Sequence, residues 1–136
     1  MDVKEAKNGD TVNIGEVLLA PWDMHMVLRR SGQRYYVQLG GGEKVSGHRP
    51  SVDVMFNSVA KTAGVNAIGV ILTGMGSDGA KGLLNIRKTG AMTFGQDQKT
   101  STVYGMPKVA FELGGVVKQN SLNELPADIL HFLESK

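Results

Sequence analysis

The sequence predicts an α/β fold, doubly wound about a largely parallel sheet and carrying a β-hairpin insertion. Two observations predict it. From Ala67 onward, short runs of branched apolar residues alternate with segments whose apolar residues recur at helical spacing, the pattern of successive βαβ units. Before that point, two strand-like runs flank Ser31-Gly32-Gln33, the signature of a hairpin with glycine in its turn. A length of 136 residues is about one domain's worth of chain, able to bury a core without disulfides.

The elements follow in order. Asp2 to Thr11 is polar and carries Asn8-Gly9, a turn signal. Val17 to Ala20 is a continuous apolar run ended by Pro21 and reads as a buried strand. Met26 to Arg30 and Arg34 to Leu39 form the hairpin, and Gly40-Gly41-Gly42 breaks its pairing. Pro50 is expected at the first position of a helix on which Val52, Met55, Phe56, Val59 and Ala63 recur at helical spacing, closed by Gly64. Ala67 to Leu72 is a strand. Asp78 is expected to cap a helix carrying Ala80, Leu83, Leu84 and Ile86, with Gly90 just past its end. Ala91 to Phe94 reads as a strand, Pro107 to Leu113 as a short helix and Val116-Val117 as a terminal strand. Ser121 and Glu124 have capping-box spacing, but Pro126 sits too deep for one continuous helix, so a turn precedes a helix starting near Pro126.

Composition narrows the function classes. A hydrophobic fraction of 41% and a charged fraction of 21% are ordinary for a globular protein. With no cysteine, thiol nucleophiles, disulfide frameworks and Cys-ligated zinc are excluded, and a reducing compartment fits. Lys and Arg number 15 against 13 Asp and Glu, and apart from Arg29-Arg30 they are scattered, so no nucleic-acid footprint stands out. No apolar run approaches the roughly 20 residues that span a membrane, and the charged N-terminus lacks a signal peptide's apolar core. The expectation is a cytoplasmic protein without membrane insertion. Glycine, at 18 residues, exceeds its usual share of about 7% and points to tight turns or to backbone approaching a ligand.

The candidate chemistry lies after the strand ending at Leu72. Gly74, Gly76 and Gly79 spell G-x-G-x-x-G between a strand and a helix, and Asp97 follows near the end of the next strand, as in a dinucleotide-binding fingerprint. Three features oppose that reading. Asp78 places negative charge where a pyrophosphate would sit, the motif lies past mid-chain, and only 57 residues follow Gly79. A purely structural reading also stands, with the glycines serving a tight turn and Asp78 capping its helix. A third reading makes Asp78 catalytic, since a carboxylate at the carboxyl edge of a parallel sheet can hold a histidine in one tautomer during acyl transfer. Such an acid needs a histidine and a nucleophile. His25 and His48 lie near strand ends or loops, and His131 sits in the last helix as a surface or packing residue. Ser51, Ser77 and Ser101 offer hydroxyls, none in a nucleophile elbow, and helix capping or solvation suits each better.

At this point several runs, taken together, resemble one family. Gly69 to Ala80, His48 to Asp53, Val103 to Pro107, Ala20 to Met26 and the final Gly114-Gly115-Val116 are similar, in order, to the chemoreceptor glutamate methylesterases of the CheB type. Trp22 stands where small residues are commoner in that family. The resemblance implies a doubly wound α/β esterase of bacterial chemotaxis. Such an enzyme hydrolyses glutamate methyl esters on chemoreceptor helices through a serine-histidine-aspartate triad, and many also deamidate glutamine. Asp78 matches the triad acid and Met75 a methionine lining the active site; neither metal nor organic cofactor is implied. The family's Gly-Ser-Thr-Gly-Gly and Gln-His-Met motifs, which carry the serine and histidine, do not occur in this chain. The expectation is therefore that residues 1–136 form a partial catalytic domain, inactive alone. It would lack the first two strands and the receiver domain of a parent protein, and with an open strand edge it would self-associate into a homo-oligomer. The alternatives are a non-catalytic remnant that binds receptors and the dinucleotide-binding domain above.

Overall fold

The computed structural model describes residues 1–45 and 47–136. Strand β1 (Asp2–Glu5) pairs in parallel with β2 (Glu16–Leu19), Asp2 opposite Glu16 and Glu5 opposite Leu19. The sequence does not announce β1. Its one apolar residue, Val3, is exposed like the other three, so no burial pattern marks it. Strands β3 (His25–Ser31) and β4 (Arg34–Gly40) form the expected hairpin, with Ser31 opposite Arg34 and Gly32 at φ 61° in the two-residue turn. The far edge of β4 is occupied by the segment after β1, where the Gly9 and Val12 amides donate to the carbonyls of Val37 and Tyr35.

Helix α1 (Val52–Thr62) begins two residues later than Pro50 would place it. The Ser51 hydroxyl accepts the Val54 amide and makes Ser51 the N-cap, so Pro50 lies outside the helix rather than at its first position. A 3-10 turn at Gly64–Asn66 then leads into β5 (Ile68–Ile71). After it come α2 (Ala80–Lys88), β6 (Met92–Gln96), α3 (Met106–Glu112), β7 (Lys118–Asn120) and α4 (Leu125–Glu134). Pro126 sits in the first turn of α4, after a turn in which the Ser121 hydroxyl accepts the Glu124 amide. Strands β5, β6 and β7 form a parallel sheet in that order. The last strand pairs two residues later than the apolar Val116-Val117 suggests. Val116 is spent in the core against Gly95, and the ladder opposite Phe94 to Gln96 starts at Lys118.

Helices cover both faces of this sheet. A side chain at Gly69 would meet Leu83 and Ile86 of α2 and Thr93 of β6, while Phe94, on the opposite face by alternation, meets Phe132 of α4 edge-on at 6.5 Å. The larger core gathers Phe56, Ile71, Leu83, Ile86, Ala110 and Val116. A smaller one, Ala6, Met26 and Val37, lies under the hairpin, and Met55 of α1 packs against both. Among the described residues β2 pairs only with β1, and β5 only with β6, so the parallel strands form two separate sheets. Among the described residues no helix is long and apolar enough to cross a membrane.

Candidate active site

The segment from Leu72 to Gly79 joins the carboxyl end of β5 to α2 and carries Asp78, which is 4% exposed. Asp78 does not cap α2, as the sequence suggests. Gly79 holds that position at φ 94°, without a side-chain cap. Instead the Asp78 carboxylate reaches the start of α1. Its Oδ2 accepts the Val52 amide at 2.7 Å, and its Oδ1 accepts the Asp53 amide at 3.0 Å and the Ser51 hydroxyl at 2.8 Å. Glycine at 79 permits the approach, because a Cβ there would lie 2.8 Å from Cγ1 of Val52 in a left-handed conformation that L side chains avoid. In return, Asp53 of α1 accepts the Gly82 amide of α2 at 2.7 Å through its Oδ1. Each helix thus receives at its N-terminus a carboxylate from the neighbourhood of the other. Both pairings satisfy amides that helix geometry leaves without partners, and both set negative charge against a positive dipole end.

His25, buried at the start of β3, joins this network without forming a nucleophile-base pair. Its Nδ1 accepts the Ser51 amide at 3.2 Å, which leaves Nε2–H to donate to the Glu43 carbonyl at 2.7 Å. Both ring nitrogens are therefore engaged by main chain. The Ser51 hydroxyl donates to the carboxylate, whereas an activated serine would place its hydroxyl on an imidazole. Ser51 does what the sequence favours for such hydroxyls: it caps a helix. Ser101 donates to the Asp97 carbonyl at 2.6 Å, and Ser77, His48 and His131 are exposed. Among the described residues no serine hydroxyl is hydrogen-bonded to a histidine.

The rest of the loop is fixed from beneath. The Thr73 amide donates to Oε1 of the buried Gln96 at 2.7 Å. The Gly74 carbonyl accepts the amides of Gly105 and Met106, at 3.1 and 2.8 Å, where α3 begins. A Cβ on Gly105 would stand 2.7 Å from that carbonyl oxygen, so the two loops touch backbone to backbone. Met75, 79% exposed, stands out from the loop three residues before Asp78. The three glycines of the G-x-G-x-x-G run serve the turn. Gly74 lies against Met106, Gly76 adopts φ 88°, and Gly79 lies against Val52. Asp97, the acid that would hold a ribose, turns back on its own loop. The Thr100 hydroxyl and amide donate to its Oδ1 at 2.6 and 3.0 Å and hold its carboxyl below the ordinary Asp value. No group of three or more metal-binding side chains converges among the described residues.

Residues 1–129 match the family model described as CheB methylesterase. A protein of Sulfurimonas denitrificans named protein-glutamate methylesterase/protein-glutamine glutaminase is 57% identical over the whole of this chain and 39% of its own length. Another, from Syntrophomonas wolfei and numbered 2 under the same name, is 58% identical over 90% of this chain and 36% of its own. The chain thus spans under two-fifths of these relatives. Among solved structures, the CheB methylesterase catalytic domain of Thermotoga maritima superposes with a TM-score of 0.91 at 32% identity, over 95% of this chain and 68% of that one. The α/β fold with its mostly parallel sheet is that of this domain.

Proposed function

The chain belongs to the CheB methylesterase family, and from that premise we propose that it supplies the acid of a serine-histidine-aspartate esterase acting on glutamate methyl esters of chemoreceptor helices. The observation that carries this reading is Asp78, held as an acceptor by three donors at the carboxyl edge of a parallel sheet. In the proposed reaction a serine hydroxyl attacks the ester carbonyl while a histidine takes its proton, and methanol leaves with a proton from that histidine. Water then cleaves the acyl-serine, releasing glutamate and the free serine. Asp78 orients the histidine and stabilises the imidazolium, and backbone amides receive the oxyanion. Glutamine would react the same way and lose ammonia, the second activity in the relatives' names.

The serine and histidine would be supplied from outside residues 1–136, since the described hydroxyls and imidazoles are otherwise engaged or stand apart. Residues 1–136 are then one part of a catalytic domain, with Met75 beside the substrate and a receiver domain as a further partner within a cytoplasmic signalling protein. Methanol release from methylated receptors tests the reading. The 136-residue chain alone should release none. Joined to the remainder of the Sulfurimonas denitrificans relative, it should release methanol. Asp78→Asn, assayed where circular dichroism shows it folded, should slow that joined protein by about 10⁴-fold. Release by the chain alone, or release indifferent to Asp78, would overturn the proposal.

A further inference from the structure

Trp22 is the only tryptophan of the chain and is 86% exposed, yet it does not stand on a loose loop. Its neighbour Asp23 is the one described non-glycine residue with positive φ, at 63°. L side chains other than Asn and Asp rarely adopt such a conformation. Arg49 grips this residue. Its Nε and Nη2 both donate to Oδ1 of Asp23, at 2.9 and 2.7 Å, and its Nη1 donates to the Gly42 carbonyl at 2.7 Å. One guanidinium therefore links the loop after β2, the glycine-rich end of the hairpin and the approach to α1.

A cavity of about 350 Å³ opens here, lined by Trp22, Lys44, His48, Arg49 and Pro50 among others. The charge of Asp23 is matched by Arg49, and Lys44 has no carboxylate within 4 Å among the described residues. The cavity is therefore left with a cationic excess beside an indole face. Pro50 leads directly to Ser51, whose hydroxyl holds Asp78, so the cavity borders the candidate active site. An exposed aromatic beside an unpaired lysine suits a partner with apolar stems and anionic ends.

We propose that this cavity docks an acidic segment of the protein substrate. Trp22 lies along the methylene stems of glutamates flanking the reacting one, and Lys44 and His48 face their free carboxylates. The proposal rests on the methylesterase reading for the identity of the partner as a glutamate-bearing protein. It makes Trp22 a specificity-determining residue rather than a catalytic one.

Because Trp22 is single, its fluorescence reports on the cavity alone. Titration of the 136-residue chain with a synthetic glutamate-rich helical peptide should give a saturable change in emission. Binding should be at least about fivefold weaker for the glutamine counterpart and weaken further with salt, as screening requires. The paired substitutions Lys44→Glu and His48→Glu, both on exposed side chains, should weaken binding about tenfold and leave the thermal transition unchanged. A labelled peptide read by anisotropy extends the test to Trp22→Ala, which should also bind more weakly. No saturable change, equal binding of the glutamine peptide, or indifference to charge reversal would overturn the proposal. Methanol release by the joined protein without peptide binding removes the docking surface alone. Peptide binding without methanol release removes the esterase reading and leaves the surface in place.

Discussion

Asp78 and Asp53 are each buried and each accept amides from the other's helix start. Truncating either strands buried N–H groups, so Asp53→Ala and Asp78→Ala should each destabilise the fold by about 1–3 kcal/mol in denaturant unfolding. The two carboxylates serve one pair of helix starts, so the double variant should depart from the sum of the singles by more than about 0.5 kcal/mol. Strict additivity would show that the caps act independently. The sequence identifies Asp78 as the acid of interest but assigns it to the wrong helix. The reason is distance along the chain: its partners lie 25 to 27 residues upstream, and no local rule distinguishes a cap on the following helix from one on a helix packed beside it. Ser51 is legible as a helix start. Its second role, holding the Asp78 carboxylate, exists only once α1 and the loop after β5 have met.

At the scale of elements, what the sequence marks is what burial marks. The hairpin, α1, α2 and β6 carry apolar residues at the period of their structure, and each forms within a residue or two of its expected limits. Strand β1 is exposed along its length, and β7 pairs through Lys118, Gln119 and Asn120, so neither has an apolar period to read. The turn after β6 is set by side-chain chemistry instead. Asp97 binds Thr100, whose carbonyl accepts from Gln96, and Gln96 in turn accepts the Thr73 amide at the base of the active-site loop. The Thr100 hydroxyl and amide, then desolvation in the opposite sense, leave the Asp97 carboxyl lowered on balance. A depressed folded value means that this turn gains its full support above the ordinary Asp value of about 3.9 and loses it as pH falls through the lower folded one. The Thr100 amide resonance should accordingly titrate with a midpoint below about 3.9, and Thr100→Ala should return the Asp97 midpoint towards that value. A midpoint at or above it would contradict the arrangement.

For the molecule as a whole, the two parallel sheets matter more than any one contact. Parallel sheets are ordinarily covered on both faces and joined into larger sheets, whereas β1 lies exposed beside β2 and the outer side of β5 carries no ladder among the described residues. Unpaired strand edges are templates for association. Sedimentation velocity should therefore give the 136-residue chain an average mass above the monomer that rises with concentration, while a single monomeric species throughout would contradict it. The sequence conveys this architecture only in outline. Alternating strands and helices specify the layers, and Met55, which touches both cores, reads in the sequence as one more apolar residue of a helix face.

The exchanged carboxylates also bear on how relatives of this protein should be read. An acid needed to seat two helices against each other will be retained wherever that seating is retained, whether or not an ester is ever cleaved. Aspartate at position 78 therefore attests to the junction of α1 and α2 before it attests to catalysis. The same residue that the esterase reading rests on is thus also a fastening between two helices.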